Sequence, residues 1–118
     1  EMQRSLVGSE MCIRDRYGVY WVELDPTRGG EMAKTRPCVV VTPSDLNMYL
    51  TTVVIVPITS TIRNYPYRVL CSVAGREGEI ATDQIRTVDK SRIKRKIGEL
   101  NNREIEELKE VFRQMFCE

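Results

Sequence analysis

Histidine is absent from the 118 residues. That excludes every mechanism built on an imidazole base and removes the commonest zinc ligand. No CxxC pair occurs. The four cysteines stand at Cys12, Cys38, Cys71 and Cys117, so a four-thiolate zinc site would need all of them at irregular spacing. They are read as free thiols of a reducing cytoplasm, with Cys38 and Cys71 inside apolar runs and hence in the core. No apolar run approaches the roughly 20 residues that span a bilayer, and the N-terminus lacks the apolar stretch of a secretory signal. Internal repeats, linkers and low-complexity tracts are missing too, which leaves one domain of ordinary size.

Net charge is also nearly missing, at +1, but it is unevenly spread. Between residues 84 and 98 stand Arg86, Lys90, Arg92, Lys94, Arg95 and Lys96 against one acid, Asp89. Residues 99–118 reverse the balance, with six acids against three bases. A basic block on a neutral chain suggests contact with a polyanion, and its plain alternative is a solvated turn. Hydrophobic residues make up 42%, enough for a core without staples.

Residues 1–16 have no clean period, and SLVGSEMCIRDR resembles a translated sequencing adapter. They are read as a leader outside the fold, non-native or disordered. Val19–Asp25 then alternates as a strand, with Tyr20, Val22 and Leu24 on one side and Val19, Trp21 and Glu23 on the other. Pro26 to Thr35 is a Gly-rich loop. Arg36–Thr42 and Thr52–Ile58 are β-branched buried strands, separated by a short helix reaching Tyr49. Tyr67–Val73 is a further strand, and Gly75-Arg76-Glu77-Gly78 a turn. Glu79–Val88 is a strand kinked near Asp83. Asp89 caps a turn of helix, and Lys96–Leu100 is a short edge strand. Asn101 and Glu104 have capping-box spacing. They open a helix whose Ile105, Leu108, Phe112 and Met115 form an apolar stripe. The expected fold is mainly β (α+β). It is a small barrel of five to seven strands with short helices and a C-terminal amphipathic helix.

Three segments occur together, after the string VYWVELDPTRGGE: Gly30-Glu31-Met32-Ala33-Lys34-Thr35-Arg36-Pro37, Val56-Pro57-Ile58-Thr59-Ser60, and Asp83-Gln84-Ile85-Arg86-Thr87-Val88-Asp89-Lys90. In order and spacing they resemble the MazF/PemK family of endoribonuclease toxins, over residues 19 to about 116. The resemblance implies an SH3-like barrel over residues 17–118, working as a homodimer in the cytoplasm. It implies cleavage of single-stranded RNA at short sequences with no metal and no cofactor. It implies neutralisation by an antitoxin whose flexible C-terminal segment fills the RNA groove, the complex binding DNA.

Such cleavage uses the substrate's own 2′-OH as nucleophile, leaving 2′,3′-cyclic phosphate and 5′-OH ends. An arginine fork suits the charge that builds on phosphorus, and a hydroxyl donor suits the developing oxyanion. Arg36 matches the family's catalytic arginine and Thr59 its catalytic threonine. Glu31 is the acid that assists proton transfer or holds the loop. Lys34, Ser60, Thr61, Asp83, Gln84 and Arg86 are expected to bind substrate, and loops 26–35 and 61–66 to choose the bases. Taken alone, each residue has a plainer role. Arg36 is then a surface arginine at a strand start, Thr59 a turn hydroxyl, and Glu31 a solvated acid. Asp83 and Gln84 are then hydrogen bonds pinning a strand kink.

Two departures from the family pattern stand out. The arginine of the PemK-style pair is replaced by Ala81, which favours Arg36 with Thr59 as the working pair. The acid that usually follows Arg-Gly before the first strand is missing from Arg16-Tyr17-Gly18. Two other functions stay open at this stage: a CcdB-like non-catalytic inhibitor of a topoisomerase, and a plain RNA-binding barrel.

Overall fold

A computed structural model describes residues 16–24 and 34–117. The expected leader therefore lies outside the described residues, apart from Arg16. That residue belongs to the fold, because its Nε donates to the Val41 carbonyl at 3.0 Å and its amide to Ser44 Oγ at 3.1 Å. Glu31 and most of the Gly-rich loop also lie outside the described residues.

Seven strands and one long helix are described: β1 (Gly18–Leu24), β2 (Lys34–Val40), β3 (Thr52–Thr59), β4 (Val69–Val73), β5 (Arg76–Ile80), β6 (Arg86–Asp89), β7 (Ile93–Glu99) and α1 (Asn102–Phe116). All strand pairs are antiparallel, in the order β4-β5-β3-β2-β1-β7, with β6 also on β3. Strand β3 is shared. Its Thr52–Ile55 stretch pairs β6, and Ile58 and Thr59 pair β5. The sheet curls into a half-barrel, the mainly β architecture with a C-terminal helix that the sequence led us to expect.

Alternation sorts the core into two clusters, one on each face of the curled sheet. Tyr20, Val22 and Leu24 join Cys38, Val40, Val53, Ile55 and Val88. Val19, one pleat away, joins Val39, Val56, Ile58, Cys71, Ile80 and Leu108. Leu108 is fully buried, which at about 2–3 kcal/mol makes it the main anchor of α1. Ile105, Val111 and Phe112 pack beside it. The capping box is present, with Asn101 accepting from the Glu104 amide and Glu104 from the Asn101 amide. Glu104 also accepts from the Ser72 amide at 2.8 Å, which ties the helix start to β4.

Strands β2, β4 and β7 run over Lys34–Val40, Val69–Val73 and Ile93–Glu99 where Arg36–Thr42, Tyr67–Val73 and Lys96–Leu100 are expected, and two larger differences lie between β4 and β6. The turn is Ala74-Gly75, both at positive φ, and Arg76 already pairs with Val73. Gly78 is therefore a strand residue. A Cβ there would stand 2.8 Å from Ile58 Cγ2 and 2.8 Å from the Thr59 carbonyl oxygen, so only glycine lets β5 lie this close to β3. Gly78→Ala is expected to lower stability by about 1–3 kcal/mol, the scale of overpacking. An unchanged melting temperature would show that β3 gives way freely. The second difference is at 79–88, where the expected kink is a full break. Strand β5 ends at Ile80, a single 3-10 turn runs over Thr82–Gln84, and β6 begins at Arg86.

Candidate active site

Arg36 lies near the start of β2, opposite Val22 of β1. Its Nε is buried and has no hydrogen-bond partner among the described residues. Such an orphaned donor normally costs about 1–3 kcal/mol, so its retention points to a ligand. Cys38 follows two residues on, and its thiol donates to the Arg36 carbonyl at 3.5 Å. Burial pushes that thiol up to about 12, while the nearby Arg86 and Arg36 guanidinium groups act the other way. Both arginines thus stand close to one buried, neutral sulfur. Cys71 is likewise buried and pushed up to about 12 by burial, so neither thiol is a nucleophile at neutral pH.

Thr59 ends β3. Strands β2 and β3 pair in the register Val40–Ile55, Val39–Val56, Cys38–Pro57. That pairing ends two residues short of Arg36 and of Thr59, and Thr59 pairs Glu79 of β5 instead. The hydroxyl is nearly buried, and its oxygen accepts from the Thr61 amide at 3.2 Å, which leaves its proton free to be donated elsewhere. Arg86 starts β6 opposite Ile55 of the same β3. Local sequence explains the placing: Pro37 ends the chain's freedom just after Arg36, and Thr59 stands where β3 runs out into Ser60 and Thr61.

The remaining expected residues divide. Ser60 lines the same cleft as Arg36, and Thr61 is exposed beside it. The Lys34 backbone pairs with Leu24 at the β2 start. Asp83 is engaged elsewhere. Its carboxylate takes a two-pronged bond from Arg68, at 2.9 Å from Nε and 3.0 Å from Nη2, while Gln84 donates to it at 3.4 Å. Arg68 Nη1 also reaches the buried Glu79 at 3.1 Å, and Glu79 accepts the Arg63 and Asn64 amides. The Thr82 hydroxyl donates to the Tyr67 carbonyl. This cluster holds the 61–68 segment against β5.

The Arg68 hydrogen bond holds the Asp83 carboxyl below its usual range. For Glu79, burial opposes ionisation, but Arg68 and the two amides outweigh it and its carboxyl is also held low. Depressed folded pKa values contribute stability above the unfolded values of about 4. That contribution should be lost as pH falls through the folded values. Melting temperatures between pH 7 and pH 2.5 are expected to stay level to about pH 4 and drop below it. In Arg68→Met the melting temperature at pH 7 should fall and the drop in acid should become shallower. An identical acid limb in both proteins would remove this cluster from the account.

A cleft of about 450 Å³ opens beside β2. Thr35, Arg36 and Pro37 form one wall, Ile58 and Ser60 another, with Trp21 of β1, Arg76 and Glu77 of β5 and Arg95 of β7 at the rim. Arg76 lies over the Trp21 ring, 5.6 Å from its centroid. Sequence reasoning missed Trp21 and Arg76 and had Arg95 only as one of the basic block; the three lie on separate strands and share no motif. Among the described residues, no group of three or more Cys, Asp or Glu is arranged to hold a metal ion. No described helix is long and apolar enough to cross a membrane.

Comparison with known proteins places these features in a family. Residues 15–116 match the family described as PemK-like, MazF-like toxin of type II toxin-antitoxin system. The endoribonuclease MazF9 of Mycobacterium tuberculosis is 34% identical over 109 residues, which cover 83% of this chain and 92% of that protein. The crystal structure of MazF from Deinococcus radiodurans superposes with a TM-score of 0.78 at 24% identity, covering 88% of this chain and 96% of that one. A mycobacterial endoribonuclease solved in complex with its cognate antitoxin superposes with a TM-score of 0.71 at 23% identity, covering 84% and 90%.

Proposed function

The chain belongs to the PemK-like, MazF-like family of type II toxin–antitoxin toxins, and on that premise we propose that it is a sequence-specific endoribonuclease that cuts single-stranded RNA without a metal ion. The observation that carries this reading is the buried Arg36 Nε, without a hydrogen-bond partner among the described residues, on the strand that pairs with β3 as far as Cys38–Pro57. A scissile phosphate brought to that strand end supplies the missing acceptor.

In the proposed reaction the ribose 2′-oxygen attacks the adjacent phosphorus. A P–O2′ bond forms and the P–O5′ bond breaks. The 2′ proton leaves to a base, and a proton is delivered to the departing 5′-oxygen. The Arg36 fork takes the equatorial oxygens of the phosphorane, and the Thr59 hydroxyl donates to the developing oxyanion. Arg86 adds positive charge near Arg36. Glu31 of the preceding loop is the carboxylate that resemblance assigns to proton transfer. The products are a 2′,3′-cyclic phosphate and a 5′-OH.

The test uses purified protein and end-labelled single-stranded RNA, with and without EDTA. Discrete fragments with cyclic phosphate ends are expected in both. No cleavage would leave a CcdB-like inhibitor or a plain RNA binder. Cleavage abolished by EDTA would remove the metal-free mechanism. We further propose that the chain works in the cytoplasm as a homodimer, and that an antitoxin's flexible C-terminal segment blocks the same cleft. The cognate antitoxin in the mycobacterial complex supports that last step by analogy. Co-purification with a neighbouring gene product, and restored cleavage after its removal, would check it.

A further inference from the structure

We propose that Trp21, Arg76 and Arg95 form a nucleotide subsite beside Arg36, taking one unpaired base of the RNA and its flanking phosphate. The inference rests on the nuclease reading above and adds residues that the motifs do not include. Trp21 sits opposite Pro37, the residue after Arg36, so the two are neighbours across β1 and β2. Its ring is half-exposed and lines the cleft. On that ring lies the Arg76 guanidinium, a flat cation that a base can slide against or displace.

Charge points the same way. Among the described residues, Arg36, Arg76 and Arg95 converge on the cleft against one carboxylate, Glu77. Neither Arg76 nor Arg95 has an ion-pair partner among the described residues. Arg95 differs here from its neighbours in the basic block. Arg92 donates to the Glu23 carbonyl, Lys94 lies 3.8 Å from the Glu23 carboxylate, and Lys96 lies 3.6 Å from Glu99. The block singled out in the sequence thus sends one guanidinium into the cleft and spends several others on local contacts. A volume of about 450 Å³ suits a nucleotide-sized ligand. An aromatic face with unpartnered guanidinium groups favours a base and its phosphate over a peptide.

Trp21 is the only tryptophan in the chain, so its emission reports on the cleft without a label. The probe is a mixed-sequence 2′-O-methyl RNA, single-stranded and unable to supply the attacking hydroxyl. Titrating the full chain should quench Trp21 saturably, and less tightly as salt rises. Arg95→Ala should weaken binding by roughly tenfold. With cleavable RNA, Trp21→Ala should raise KM by roughly tenfold and act on KM more than on kcat, and Trp21→Phe should recover most of the loss. Circular dichroism checks that each variant is folded.

Binding seen by anisotropy of a labelled probe, with no change in Trp21 emission, overturns the subsite. So does a wild-type KM in folded Trp21→Ala. Quenching by poly-glutamate but not by the oligonucleotide assigns the cleft to an acidic peptide and also overturns it. RNA cut normally without quenching removes the subsite and keeps the nuclease. Quenching without any cleavage keeps the subsite and removes the catalytic reading.

Discussion

Arg36→Ala is expected to lose RNA cleavage by on the order of a hundredfold or more while melting no lower than the parent. The two halves of that result have one cause. The guanidinium is held at the start of β2 with its Nε buried and without a hydrogen-bond partner among the described residues. In the folded, substrate-free protein it therefore contributes desolvation cost and little hydrogen bonding. Deleting it should leave stability level or slightly raised. In the transition state the same group meets the phosphorane, and losing one such charged contact costs about 3 kcal/mol or more. Arg36→Lys should recover little, because an ammonium cannot make the planar fork. The measurement pairs initial cleavage rates with thermal melts. An alanine variant that cuts RNA at the parental rate would sink the assignment. A variant that melts several degrees lower and loses activity in proportion would make Arg36 structural.

What was legible in the sequence was local. The capping box at Asn101 and Glu104, the Asp89 cap and the alternation of β1 rest on neighbours within a few residues, and all three appear where the spacing puts them. The 75–78 turn was misplaced because two glycines do different jobs. Gly75 takes a positive φ, as a turn glycine does. Gly78 is small so that β5 can approach the Thr59 carbonyl, a requirement visible only once the strands are paired. Glu104 shows the same division. Its capping role follows from spacing, and its bond to the Ser72 amide comes from the packing of α1 on β4. At the site, motif order brought out Arg36, Thr59 and Arg86. It assigns Asp83 to substrate binding, and in the structure that carboxylate pairs with Arg68. Arg68 itself bears no motif, and neither does Glu79. Their importance comes from one guanidinium joining a buried acid to an exposed one, which no linear pattern records.

The second large effect is expected at Thr59, where magnitudes separate a catalytic from a structural hydroxyl. Thr59→Val nearly keeps the shape and removes only the oxygen. The structural loss is one bond from the Thr61 amide, at 3.2 Å, worth about 1 kcal/mol. A small domain is stable by about 5–15 kcal/mol, so such a loss leaves almost all of the protein folded at 25 °C. Unfolding therefore cannot remove more than a few per cent of the activity. A hydroxyl that donates to the developing oxyanion is worth about 3 kcal/mol or more, on the order of a hundredfold in rate. The expected result is a variant that melts a few degrees lower and cuts RNA at about one per cent of the parental rate. Thr59→Ser, which keeps the donor, should retain most of the activity. Measured per folded molecule, a valine variant with the parental rate would return Thr59 to the role of a turn residue. The chemistry would then have to fall to Ser60, which stands next in the chain and lines the cleft with Arg36.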